Sequence, residues 1–173
     1  MKIIPLTSTI NIRKTVTAAV FNVFALAFVY LIPTFSHLLS LPIYLIEPMR
    51  LMLIIAIVHT HRYNAYALAA TLPLVSFAIA AHPIFVKSIL ISIELLFMVW
   101  LYYRLAERYN NFLSIFISIW ASKTLYYGLK YLAVIILIPK EPLIGTPMYL
   151  QIITSIVFSA YLFGVLNLKN NKG

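Results

Sequence analysis

The feature that most constrains this chain is a series of apolar runs, most of them close to twenty residues long, divided by short segments rich in turn formers or basic residues. An α-helix needs about 20 residues to cross roughly 30 Å of hydrocarbon. The spacing predicts six such helices, at about 15–35, 43–60, 63–81, 84–105, 112–138 and 148–168. Pro33 is expected to mark the far end of the first. Glu47, Pro48 and Arg50 make the start of the second irregular, and Pro73 falls inside the third. Proline is tolerated in a membrane helix where neighbours satisfy the freed carbonyl. Residues 43–81 read either as two full spans or as partly re-entrant segments. The expected fold class is all-α: a polytopic membrane protein, one membrane domain over residues 1–173.

Composition agrees. Of 173 residues, 63% are hydrophobic and 10% charged, where a soluble domain carries about a quarter charged residues. Thirteen Lys and Arg stand against four acidic residues, for a net charge of +9. The cations are scattered between apolar runs and form no stripe, which argues against nucleic acid as a partner. They suit membrane topology and an anionic inner leaflet instead. The absence of cysteine excludes disulfides and thiol catalysis. Arg13 and Lys14 before the first run resemble a signal-peptide start, but further spans follow it, so an uncleaved helix is expected.

Six spans place both termini on one side. With that side cytoplasmic, the inner ends carry Lys2, Arg13, Lys14, Arg62, Arg104, Arg108, Lys169 and Lys172, and the outer ends little beyond Lys87 and Lys140. This is the positive-inside pattern. The expected location is the cell inner (plasma) membrane.

Several charges fall inside the apolar runs. Each must snorkel, pair or line a polar cavity. In the six-span topology Glu47 and Arg50 lie near the outer end of span two. Lys87 and Glu94 descend span four, and Lys123 and Lys130 climb span five toward the outside. Lys123, Tyr127 and Lys130 share one helical face, with Trp120 one turn below and Tyr126 beside it. The outer half therefore gathers costly polar groups from three spans, a pattern that suits a small polar, anionic or partly aromatic solute. The bland reading keeps Glu94 as an internal partner of Lys123 or Lys87, pairs Arg50 with Glu47 across one turn, and lets Lys130 snorkel.

Other chemistry finds little footing. His59 and His61 are two apart, poor spacing for joint ligation from one helix, and no HExxH accompanies them, so no metal is expected. His37 and His82 fall in outer loops, and His82 is a weak candidate for ligand contact. With four glycines the chain lacks a phosphate-cradling loop. No nucleophile motif is visible, so neither an enzyme nor a cofactor is expected.

The stretch AHPIFVKSILISIELLFMVWLYYRL, residues 81–105, carries a His-Pro turn, a lysine at Lys87 and a membrane glutamate at Glu94 before Leu95. It resembles the fourth-helix region of the substrate-binding S components of energy-coupling-factor transporters. RYNAYALAATLPLVSF suits that family's third helix and YLQIITSIVFSAYLFGVL its closing helix. The resemblance implies a compact six-helix bundle that binds a vitamin, precursor or similar micronutrient in an outer pocket. It implies delivery to a transmembrane coupling subunit with cytosolic ATPase subunits. That pocket falls where the polar groups converge, and the candidate solute contacts read from that convergence are Arg50, His82, Lys87, Glu94, Trp120, Lys123, Tyr127 and Lys130. The resemblance gives the first helix a docking role, here through the small-residue patch Ala18, Asn22 and Ala25, since small residues permit close helix approach.

Two other classes compete. A structural scaffold, resembling the small membrane subunit of the rod-shape machinery, needs no polar cavity and uses Glu94, Lys123 and Lys130 as internal pairs. A small intramembrane lipid-modifying enzyme would show turnover on lipid.

Overall fold

The computed structural model describes residues 12–40, 42–80, 84–136 and 142–171. They form six α-helices: α1 (Ile12–Leu39), α2 (Pro48–His59), α3 (Arg62–Ala80), α4 (Phe85–Leu105), α5 (Asn111–Ile136) and α6 (Met148–Asn170). A 3-10 turn, Ile43–Ile46, precedes α2, and no strand occurs among the described residues.

The bundle is apolar on its outside and buries polar side chains beside its apolar core. Val20, Val23 and Phe24 of α1, Trp100 of α4, Ile117 of α5 and Ile152, Ile153 and Val157 of α6 are exposed, while Asn64, Ser88, Glu94, Ser118, Lys123 and Gln151 are buried. So extensive an apolar surface is stable where the surroundings are hydrocarbon, because water does not solvate it. Three stretches, Thr15–Leu39, Phe85–Leu105 and Met148–Lys169, are long and apolar enough to cross a bilayer. The protein is a helical membrane protein.

Two expectations are corrected. Pro33 does not end the first helix; α1 runs on to Leu39 with Pro33 inside it. Residues 43–60 are not one continuous helix. Pro33 and Pro73 sit inside unbroken helices, so proline alone does not force a break, but Pro48 disfavours the helical region at residue 47 and itself suits the first helical position. The chain accordingly breaks at Glu47 (φ 55°, ψ 60°) and begins α2 at Pro48. With 12 residues, α2 is about 18 Å long, well short of a hydrocarbon crossing. It is apolar on nearly every face and forms the core with α1, α3, α4 and α6 through Met52, Leu53, Ile54, Ala56 and Ile57.

Serines line the inner faces of the long helices. Ser114, Ser118 and Ser122 of α5 and Ser155 and Ser159 of α6 are all buried. Ser118 Oγ donates to the Ser114 carbonyl at 2.6 Å and Ser159 Oγ to that of Ser155 at 2.7 Å. Four of these hydroxyls are satisfied within their own helix and that of Ser114 by the Tyr109 carbonyl just before α5, and the small side chains let neighbouring helices approach closely.

One end of the bundle is basic. Arg62, at the start of α3, places its guanidinium 4.9 Å from the Tyr103 ring centroid. Lys169 Nζ donates to the Val58 carbonyl at 2.6 Å, and Arg104 and Arg108 are exposed nearby in sequence, at the end of α4 and in the turn after it. The cavity described next lies toward the other end.

Candidate functional site

A cavity of about 490 Å³ opens among α1, the hinge before α2, α3, α4, α5 and the loop before α6. Ile32 and Pro33 supply one wall, Ser76 another, and Lys87, Ile91 and Glu94 a third along α4. The α5 wall is Lys123, Tyr126, Tyr127 and Lys130, residues that the helical repeat brings to one side. Tyr44, Glu47 and Arg50 enter from the broken segment, and Gly145 and Thr146 from the last loop.

A chain of ion pairs forms the floor. The Arg50 guanidinium binds Glu47 through Nη1 and Glu94 through Nη2. The second Glu47 oxygen binds Lys123 Nζ. Glu94 lies near the middle of α4 and Lys123 near the middle of α5. The start of α2 is therefore at mid-depth in the bundle, deeper than the outer position expected for Glu47 and Arg50. A left-handed backbone at a non-glycine residue costs on the order of 1–3 kcal/mol, and at Glu47 two cations hold the residue that adopts it.

Gln151 joins this floor to the rim. Its Oε1 accepts from Lys123 Nζ at 3.1 Å, and its Nε2 donates to Tyr127 Oη at 2.7 Å and to the Thr146 carbonyl at 2.8 Å. Higher on α5, Lys130 Nζ donates to the Pro142 carbonyl at 2.6 Å and sits 5.9 Å from the Tyr126 ring centroid. Arg50 Nε is buried with no hydrogen-bond acceptor among the described residues.

Of the candidate solute contacts, Arg50, Lys87, Glu94, Lys123, Tyr127 and Lys130 line this one cavity. Trp120 is not among the lining residues; its ring packs on Phe116 with centroids 6.4 Å apart. His82 lies outside the described residues. The small-residue patch of α1 needs correction. Ala18 is 6% and Ala25 0% exposed, and Asn22 exchanges side-chain amide hydrogen bonds of 2.8 and 2.9 Å with Asn64 of α3. That face is used inside the chain, against α3, and is not offered for docking.

Sequence reasoning passed over Gln151 and treated Glu47 as a local partner of Arg50. Gln151 carried a usable signal, as an amide in the apolar run YLQIIT. The reach of Glu47 to α5 carried none, because nothing local fixes which helices meet.

The fold and cavity define a helical membrane protein with an internal polar site. The chain matches no protein-family model, no curated protein and no solved structure.

Proposed function

We propose that this chain is the solute-binding subunit of a membrane uptake system, similar to the S components of energy-coupling-factor transporters. It captures a small organic solute, a vitamin, precursor or comparable micronutrient, at the outer side of the cell membrane. It passes the solute to a membrane coupling subunit driven by cytosolic ATPase subunits, and it carries out no chemistry itself. The six helices make six crossings, the broken 43–60 segment serving as the second, with both termini in the cytoplasm.

The observation that carries this reading is the cavity. Four cationic side chains, two carboxylates and three tyrosines surround a space of about 490 Å³ in a bundle whose outside is apolar. Pockets of roughly 300–1,000 Å³ suit small organic ligands. The cavity lies toward the end away from Arg62, Arg104 and Arg108, and the positive-inside tendency makes that end the outer one.

Native mass spectrometry of gently purified protein tests the proposal. The chain retains a small organic molecule, and Lys123→Ala reduces its retention while the helical fold persists. A folded chain that retains nothing, and binds nothing in a broad micronutrient screen, removes the proposal. The scaffold reading then takes its place, supported by the mutual pairing of Arg50, Glu47, Glu94 and Lys123.

A further inference from the structure

We infer that the solute carries a neutral ring of the cyclic amide or ureide class, with Glu94 accepting a hydrogen bond from its N–H and Tyr127 donating one to its carbonyl. This rests on the solute-binding reading above and deepens it by naming the solute's chemical class and the two side chains that select it.

The donor follows from the hydrogen bonds of Gln151. Lys123 Nζ can only donate, so the Gln151 atom 3.1 Å from it is the amide oxygen. The Thr146 carbonyl can only accept, so the atom 2.8 Å from it is the amide nitrogen. The same nitrogen lies 2.7 Å from Tyr127 Oη, and an amide nitrogen accepts no hydrogen bond. Tyr127 Oη is therefore the acceptor there, and its own hydrogen has no acceptor among the described residues. Tyr127 lines the cavity from α5, so its phenol is a donor held in place for a solute.

The acceptor follows from the ion pairs. Both Glu47 oxygens are taken, one by Arg50 and the other by Lys123. Glu94 gives one oxygen to Arg50 Nη2, and its second oxygen receives no hydrogen bond among the described residues. Glu94 lines the same cavity from α4.

Charge narrows the class further. At the floor the cations Arg50 and Lys123 face the carboxylates Glu47 and Glu94, and this set balances. An anion placed at Glu94 meets a like charge, and a cation placed there comes beside Arg50. A neutral group with both a donor and an acceptor meets neither repulsion and fills both open positions, which a site of this kind favours over an analogue lacking one of them. Tyr44 and Tyr126 add aromatic faces in the same cavity, which suit a planar ring.

The isomers 5,6-dimethyluracil and 1,3-dimethyluracil are the probes. They match in size, charge and carbonyls, and only the first has N–H donors. Each is titrated against the thermal unfolding of detergent-purified protein. In the wild type the 5,6-isomer binds about tenfold more tightly, the worth of one hydrogen bond to a charged group. In Glu94→Gln the donor-only Arg50 takes the new amide oxygen, the amide nitrogen faces the solute, and the preference disappears. Tyr127→Phe weakens both isomers by the same factor, about fivefold, and leaves the preference intact. Should Glu94→Gln fail to fold, the isomer comparison in the wild type and in Tyr127→Phe carries the test. Equal binding of the isomers to the wild type, a preference that survives Glu94→Gln, or unchanged binding in Tyr127→Phe overturns the inference. A chain that retains a natural solute lacking an N–H and a carbonyl on one ring, or that retains a solute and responds to neither isomer, also overturns it and leaves the binding function intact. A chain that retains no solute and responds to neither isomer overturns both.

Discussion

Glu47 and Lys123, 76 residues apart in sequence, form an ion pair at the middle of the bundle. The pair ties a helix break to a helix centre. Glu47 ends the 3-10 turn and precedes α2, whereas Lys123 belongs to the unbroken α5. Because Arg50 shares Glu47 and also binds Glu94, three elements are locked together by four side chains. The same four side chains line the cavity, so the groups that hold the bundle at this depth are the ones a solute meets.

Loss of one member of this set strands the others. Glu94→Leu leaves the buried Arg50 with a single carboxylate partner, and removal of one partner from a buried pair costs about 3–5 kcal/mol. The double variant Arg50→Leu with Glu94→Leu removes both charges and is less destabilised than Glu94→Leu alone. A double-mutant cycle from denaturant unfolding in detergent measures the coupling. Additive losses would remove the pair from the account of stability.

Gln151 holds Lys123 and Tyr127 in one arrangement through its two side-chain ends. Gln151→Leu keeps the volume and loses both contacts together with the hydrogen bond to the Thr146 carbonyl. Solute retention falls about tenfold, the equivalent of roughly one hydrogen bond to a charged group, while the unfolding midpoint moves little. Unchanged retention would show that Gln151 serves packing alone.

The α1–α3 contact answers to size. Ala25→Leu forces extra volume into a position with no exposure and destabilises the fold by about 1–3 kcal/mol. Phe24→Leu, on the exposed face one residue away, has little effect. Unfolding midpoints of the two variants in detergent compare them. Equal effects would mean that the inner face of α1 is not tightly packed.

Topology is tested by labelling, which the absence of native cysteine makes simple. A single cysteine at Ile144, beside the cavity loop, reacts with a membrane-impermeant maleimide on intact cells. One at Asn171, beyond the basic end, reacts only after the membrane is opened. The reverse pattern would move the cavity to the inner side.

Much of this protein was legible along the chain because hydrocarbon is an unforgiving solvent. Every backbone polar group must be satisfied locally, so apolar length sets helix positions directly, and α4, α5 and α6 fall within a few residues of their expected bounds. The repeat of 3.6 residues put Lys123, Tyr127 and Lys130 on one face before any partner was known. Elsewhere the local signal pointed the wrong way. Small residues at Ala18 and Ala25 mark a close helix approach, and sequence does not say whether the approaching helix belongs to this chain; here it is α3.

The sequence by itself determined an all-helical, lipid-embedded chain with a handful of charges too costly to leave unpaired. The tertiary structure decided where those charges meet. Pro48 favours a break at Glu47, but only the seating of the short α2 among α1, α3 and α6 sets that break at mid-depth, level with Glu94 and Lys123. Ion pairing depends on distance in space, and the distance between residues 47 and 123 is fixed by how the helices pack, which no local pattern records.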